Sequence, residues 1–167
     1  MSSVLYLFLS HLGIGIAFTL LLVSKEAGVK FFRFNAGVAA ALLAAALAFR
    51  PASDAAPNIA AYANSIVPVA IALGCLTLYW IIAGRVWGWL RPPLAIAASI
   101  AGGTAVVMHG LAASSDVAGG ALSAASTLSS AALLGGACTA MVLGHWYLVI
   151  PSMQVSHLQK MAGFHIA

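Results

Sequence analysis

The chain has 167 residues, of which 63% are hydrophobic and only 6% are charged, and its mean hydropathy is +1.06. A soluble domain with a polar surface cannot have such a composition, so these values exclude a soluble enzyme and predict an integral membrane protein. The formal net charge of +4 is attributed to membrane topology and lipid headgroups rather than to nucleic acid, because the basic residues lie in short loops between apolar runs. We expect a single transmembrane helical domain over residues 1–167.

Five apolar runs are long enough to cross a bilayer, which takes about 20 helical residues. Because they show no strand-like alternation, they predict an all-α bundle of about five transmembrane helices rather than a barrel. In chain order the runs are Val4 to Ser24, Phe31 to Phe49, Tyr62 to Gly84, Leu94 to Ala113, and a stretch within Gly119 to Ile150. The last is about ten residues too long for an upright span, so we expect it to tilt, to extend beyond the bilayer or to break at Gly135 and Gly136.

Basic residues fall mainly in alternate loops. The loops after the first and third runs hold Lys25, Lys30, Arg33, Arg85 and Arg91, whereas those after the second and fourth hold Arg50 against Asp54 and Asp116. The positive-inside rule therefore predicts an N-terminus outside and a C-terminus in the cytoplasm, in a bacterial cytoplasmic (inner) membrane. Apolar residues at Val155, Leu158, Met161 and Phe164 predict a short amphipathic C-terminal tail on the cytoplasmic surface.

Small residues are frequent, and their first expected role is close helix packing. The glycines beside two histidines allow a second interpretation. Gly13, Gly15 and Gly110 would leave clearance for a flat macrocycle, with Phe18 against its edge. Packing is the preferred interpretation of these glycines.

Three histidines lie inside apolar runs: His11, His109 and His145. A titratable ring is costly in hydrocarbon and marks a candidate site, and neutral imidazole is a common ligand of iron, copper and zinc. At 1.5 Å per residue, His11 and His109 lie roughly 10 Å and 6 Å below the same outer boundary. They are therefore predicted to bind one iron from opposite faces of a b-type haem. The alternative is an interhelical hydrogen bond, worth about 0.6 kcal/mol.

His145 falls near the cytoplasmic end of the fifth run, so it is not expected to reach the same metal. Its candidate partners are a second haem shared with His157 or another subunit, a chlorin pigment, a quinone headgroup, or a carbonyl of a neighbouring helix. The alternative is an interfacial residue in an aromatic belt with Trp146 and Tyr147.

The runs contain no acidic residue, and the chain lacks the sequence motifs of hydrolases, NTPases and membrane metalloproteases. We therefore expect neither a transporter nor an enzyme acting alone. The first hypothesis is a haem b-binding membrane subunit of a respiratory or redox electron-transfer complex, exchanging electrons with a quinone pool or a partner subunit. The alternative is a non-catalytic structural or pigment-binding subunit that stabilises a larger membrane complex. Expected partners are membrane lipids, other membrane subunits and, in the first hypothesis, quinone.

Overall fold

The computed structural model describes residues 2–52, 56–85 and 87–149. Asp54 and the predicted amphipathic tail lie outside these residues. In the described part of the chain all regular structure is helical: α1 (Ser2–Leu22), α2 (Gly28–Ala48), α3 (Ile59–Asn64), α4 (Ile66–Ile82), α5 (Arg91–Ala112) and α6 (Val117–Val149), with short 3-10 helices at Lys25–Ala27 and Gly88–Leu90.

The helices confirm the all-α prediction. Five segments are long and apolar enough to cross a membrane: Ser3–Leu22, Lys25–Ala48, Ile59–Ile82, Gly88–Ala112 and Val117–Trp146. These match the five runs in order. Orientation in a membrane stays a prediction.

The third segment contains a break between two helices, although its apolar run predicts one continuous helix. Helix α3 ends at Asn64 and α4 begins at Ile66, with the Ser65 hydroxyl donating to the Tyr62 carbonyl at 2.7 Å. Pro68 explains the position of the break. It has no N–H to donate to the Asn64 carbonyl, and its ring would collide with that carbonyl in a regular helix.

The fifth segment is one unbroken helix of 33 residues. At 1.5 Å per residue it is about 50 Å long, against a hydrocarbon core of about 30 Å. The alternative of a break at Gly135 and Gly136 is therefore wrong, which leaves tilt or extension beyond the bilayer. Instead of breaking, α6 packs its backbone at Gly135 directly against α1 at Gly15 and Ile16.

Helix α1 lies at the centre of the bundle and packs against α2, α5 and α6, while α4 packs against α2 and α5. The large side chains at the contacts are fully buried, as apolar groups between helices must be: Ile14, Ile16, Phe31, Leu43 and Leu76. At one end the loops that carry Lys25 and Arg91 come together around one cavity. At the other end the Asn58 amide donates to the Ala112 carbonyl at 3.2 Å. The more basic loops and the less basic loops of the sequence therefore lie at opposite ends of the bundle.

Candidate functional site

His11 and His109 meet inside the bundle, although 98 positions separate them in the chain. His11 lies on α1 and His109 on α5, and their ring centroids are 5.8 Å apart with a tilt of 35° between the planes. Both are buried, with exposed fractions of 7% and 4%. The two histidines are therefore close together, as the depth argument from the sequence predicts, and their role as ligands stays a prediction.

Tyr6 completes the buried part of the site. Its hydroxyl lies 2.9 Å from Nε2 of His109, and the two ring centroids are 5.2 Å apart. The tyrosine is fully buried, and Ser10 one turn later donates its hydroxyl to the Tyr6 carbonyl at 2.7 Å. Sequence reasoning missed Tyr6. The signal was present, since this tyrosine precedes His11 by about one and a half turns and so falls near the depth of His109.

Two ring nitrogens of the pair are buried without a hydrogen-bond partner among the described residues, Nε2 of His11 and Nδ1 of His109. Two tautomers of His109 are compatible with the Tyr6 contact. If Tyr6 donates to Nε2, the proton on Nδ1 is a buried donor without a partner, which costs about 1–3 kcal/mol. If Nε2–H donates to the Tyr6 oxygen, Nδ1 offers a lone pair that can bind a metal. In that case Tyr6 orients the ligand, as hydrogen-bond partners of metal-binding histidines generally do.

Tyr62 and Arg50 extend the cluster to the end of the bundle. The ring of Tyr62 lies 6.1 Å from that of Tyr6, and its hydroxyl donates to the Pro51 carbonyl at 3.0 Å. The Arg50 guanidinium lies 4.5 Å from the Tyr62 ring and donates to the Tyr62 carbonyl at 2.9 Å. From the sequence, Arg50 is expected only in a loop. Its place beside the cluster depends on how α2 ends against α3, which no local pattern reveals.

A cavity of about 160 Å³ opens beside this cluster, and we call it the rim cavity. Its walls are mostly apolar and include Leu7, Ala52, Pro57, Tyr62, His109 and Ala112. A cavity of about 150 Å³ holds one benzene ring. The rim cavity therefore has room for a single six-membered ring, and it is smaller than a tetrapyrrole.

The glycines near the histidines lie in helix contacts, as the packing interpretation predicts. A methyl group at Gly15 would meet the backbone of Ala131 on α6, and one at Gly110 would meet the backbone of Ala124 on the same helix. At Gly13 it would lie 3.1 Å from both the Ala39 carbonyl and the Leu43 side chain. At these three positions no open space remains for a macrocycle beside the imidazole rings.

His145 lies apart from the pair. Helices α1 and α6 run parallel, with the hydroxyls of Thr19 and Thr139 at 2.6 Å. His11 precedes the first threonine and His145 follows the second, so roughly 20 Å of helix rise separates them. As predicted, His145 does not reach the site of His11. It is exposed on α6 and lines a different cavity of about 370 Å³, together with Phe34, Met141, Val142 and Trp146.

The donor set limits what kind of metal the pair can hold. Within residues 2–52, 56–85 and 87–149, no group of three or more His, Cys, Asp or Glu side chains is placed to hold an ion. A structural zinc site takes four protein ligands. Haem iron takes at most two, because the macrocycle supplies the others. In number alone, the His11 and His109 donors match the axial pair of a haem rather than the ligand set of a bare ion.

The described site thus consists of two imidazoles from α1 and α5, a tyrosine bonded to one of them, and a small apolar cavity beside them. It has no carboxylate among its described residues and no pattern typical of hydrolytic chemistry. Comparison with protein-family models, with curated proteins and with solved structures found no match to this chain.

Proposed function

We propose that the chain binds a b-type haem through His11 and His109 and acts as an electron-transfer subunit of a membrane redox complex. In this role it exchanges electrons with a quinone pool or with a partner subunit, in a bacterial cytoplasmic membrane. One observation carries the proposal. Imidazoles from two separate helices lie 5.8 Å apart, and each keeps a buried ring nitrogen without a described partner.

The spacing of the two rings supports a shared metal. An imidazole nitrogen lies about 2 Å from a metal that it binds, so two rings on opposite sides of one ion have centroids about 6 Å apart. The observed 5.8 Å is close to this value. Without a metal, Nε2 of His11 and Nδ1 of His109 would stay unsatisfied in an apolar interior, at a cost of about 1–3 kcal/mol each.

A second candidate function is supported by the room around the rings. The rim cavity, at about 160 Å³, is smaller than a haem or a chlorin. The space next to the glycines near the histidines is occupied by neighbouring helices. This packing favours a structural subunit, in which the contact between Tyr6 and His109 is a polar link between α1 and α5.

The visible spectrum of the purified protein separates these candidates. A reduced-minus-oxidised α-band typical of b-type haem supports the first proposal, chlorin absorption supports a pigment-binding subunit, and a colourless protein supports a structural subunit. In a haem-loaded protein, His11→Ala and His109→Ala should each abolish or convert the low-spin spectrum. The matched control is His145→Ala, which removes a histidine roughly 20 Å of helix rise away and should leave that spectrum unchanged. An unaltered low-spin spectrum in the His11→Ala, His109→Ala double variant would reject the assignment.

The proposed role also requires other membrane subunits. Helix α6 exposes large apolar side chains over much of its length, with Val117, Leu122 and Met141 at 90%, 74% and 72% exposure. Among the described residues little of the chain lies outside the helices that could cross a membrane. We therefore expect extraction in mild detergent to recover the chain in a larger complex. Recovery of a fully active monomer would contradict this expectation.

A further inference from the structure

The end of the bundle opposite the His11 and His109 pair contains a further cavity, of about 370 Å³. Its walls come from the last turn of α1, the first turns of α2 and α5, and the C-terminal part of α4. Two cations, Lys25 and Arg91, and the phenol of Tyr79 line it. None of the described residues that line it carries a carboxylate. We call it the basic cavity.

The side chain of Arg91 is held in place while part of its guanidinium stays available. Its Nε donates to the Gly88 carbonyl at 3.2 Å. A methyl group at Gly88 would lie 2.9 Å from one terminal nitrogen, so the guanidinium lies over this glycine because no side chain is there. The terminal nitrogens form no hydrogen bond with the described residues. A planar guanidinium oriented in this way suits the oxygens of a phosphate.

Tyr79 adds a neutral donor to the two cations. It is 6% exposed, it lines the basic cavity, and its hydroxyl forms no hydrogen bond with the described residues. It lines the same cavity as Arg91. Two cations and a hydroxyl around one cavity provide the donors that a phosphate anion requires.

The apolar walls of the basic cavity favour a lipid over a free anion as its occupant. Leu21 and Val29 line the cavity and remain 44% and 38% exposed. They give acyl chains an apolar surface next to the cationic groups. Basic pockets between transmembrane helices are a known arrangement for anionic lipid headgroups. From this combination we propose that the basic cavity binds the phosphodiester of an anionic phospholipid through Lys25, Arg91 and Tyr79.

The test measures phosphatidylglycerol retained by the full chain in native mass spectrometry, with phosphatidylcholine and inorganic phosphate as comparison probes. The variant is Lys25→Gln with Arg91→Gln. The matched control is Lys30→Gln with Arg85→Gln, which removes the same charge from the same end of the bundle but from residues that do not line the cavity. We expect the first double variant to bind phosphatidylglycerol at least about tenfold more weakly, and the control to bind it as the unmodified chain does.

If the double variant does not fold, Tyr79→Phe provides the test, because it changes no charge and removes only the hydroxyl. It should weaken retention of phosphatidylglycerol but not of phosphatidylcholine. Competition by inorganic phosphate at millimolar concentration, with the same dependence on Lys25 and Arg91, would identify a free phosphate as the occupant instead of a lipid. Equal retention of phosphatidylglycerol by the variant and its control, or by Tyr79→Phe and the unmodified chain, overturns the proposal.

Discussion

The closest helix contact in the bundle gives a quantitative test of the fold. At Gly15 on α1, an added methyl group would collide with the backbone carbonyl of Ala131 and lie 2.9 Å from the α-carbon of Gly135, both on α6. Backbone atoms of a packed helix cannot move aside as a flexible side chain can. Gly15→Ala should therefore force α1 and α6 apart.

The control is a glycine in the same kind of helix with free space around it. At Gly74 on α4, an added methyl group would meet no atom within 4 Å. Both substitutions replace glycine by alanine inside a helix, so both gain about 1 kcal/mol of helix propensity. Only Gly15→Ala adds overpacking, which costs typically about 1–3 kcal/mol. We expect the free energy of unfolding of Gly15→Ala to be lower than that of Gly74→Ala by about this amount.

The measurement is reversible unfolding in mixed detergent micelles, followed by circular dichroism. Gly74→Ala should unfold at the same denaturant fraction as the unmodified chain or at a higher one, while Gly15→Ala should unfold earlier. If the two variants proved equally stable, the close contact between α1 and α6 would be refuted, and with it the register that separates His145 from the histidine pair.

Three further predictions concern the site and the ends of the bundle. Tyr6→Phe leaves Nε2 of His109 without its partner, so we expect a loss of about 1–3 kcal/mol in the free energy of unfolding, measured in the same micelles. The Gly119 amide donates to the exposed Asp116 carboxylate and holds the pKa of that carboxyl below its usual value. Its stabilising effect should be complete above the usual pKa of aspartate and disappear as the pH falls through the lowered one, and Asp116→Asn should flatten this part of the stability profile against pH. Reporters fused after Asp116 and after Arg91 should lie outside and in the cytoplasm, respectively; the reverse result would contradict the positive-inside assignment.

Much of the architecture was predictable because long apolar runs leave little choice of structure. A run of about 20 apolar residues without strand alternation has to form a helix in lipid, since no other open structure satisfies its backbone. The five spans and their order follow from this rule. The interruption at Ser65 was also present in the sequence, as Pro68, but the apolar run around it concealed the break.

The pairing of His11 and His109 was predictable for a similar reason. Topology assigns each residue a depth, and two residues at one depth on antiparallel spans are candidates for contact. Depth does not specify which spans are neighbours. That α1 lies against both α6 and α5 depends on small residues such as Gly15, which lies against Ala131, and Gly102, which lies against Ile14, and each of these partners is far away in the chain.

The hydrogen-bond and packing partners in the rest of the site were decided by tertiary structure. Tyr6 bonds to His109, and Arg50 packs on Tyr62, because the ends of α1, α2, α3 and α5 converge at one place. The basic cavity arises in the same way at the other end, where two loops bring Lys25 and Arg91 together. The sequence by itself determined the all-helical class, the five long apolar helices and their order, because these depend on local hydrophobicity and length. Side-chain partners required the packed bundle, because which faces of the helices meet is set by contacts between residues distant in the chain.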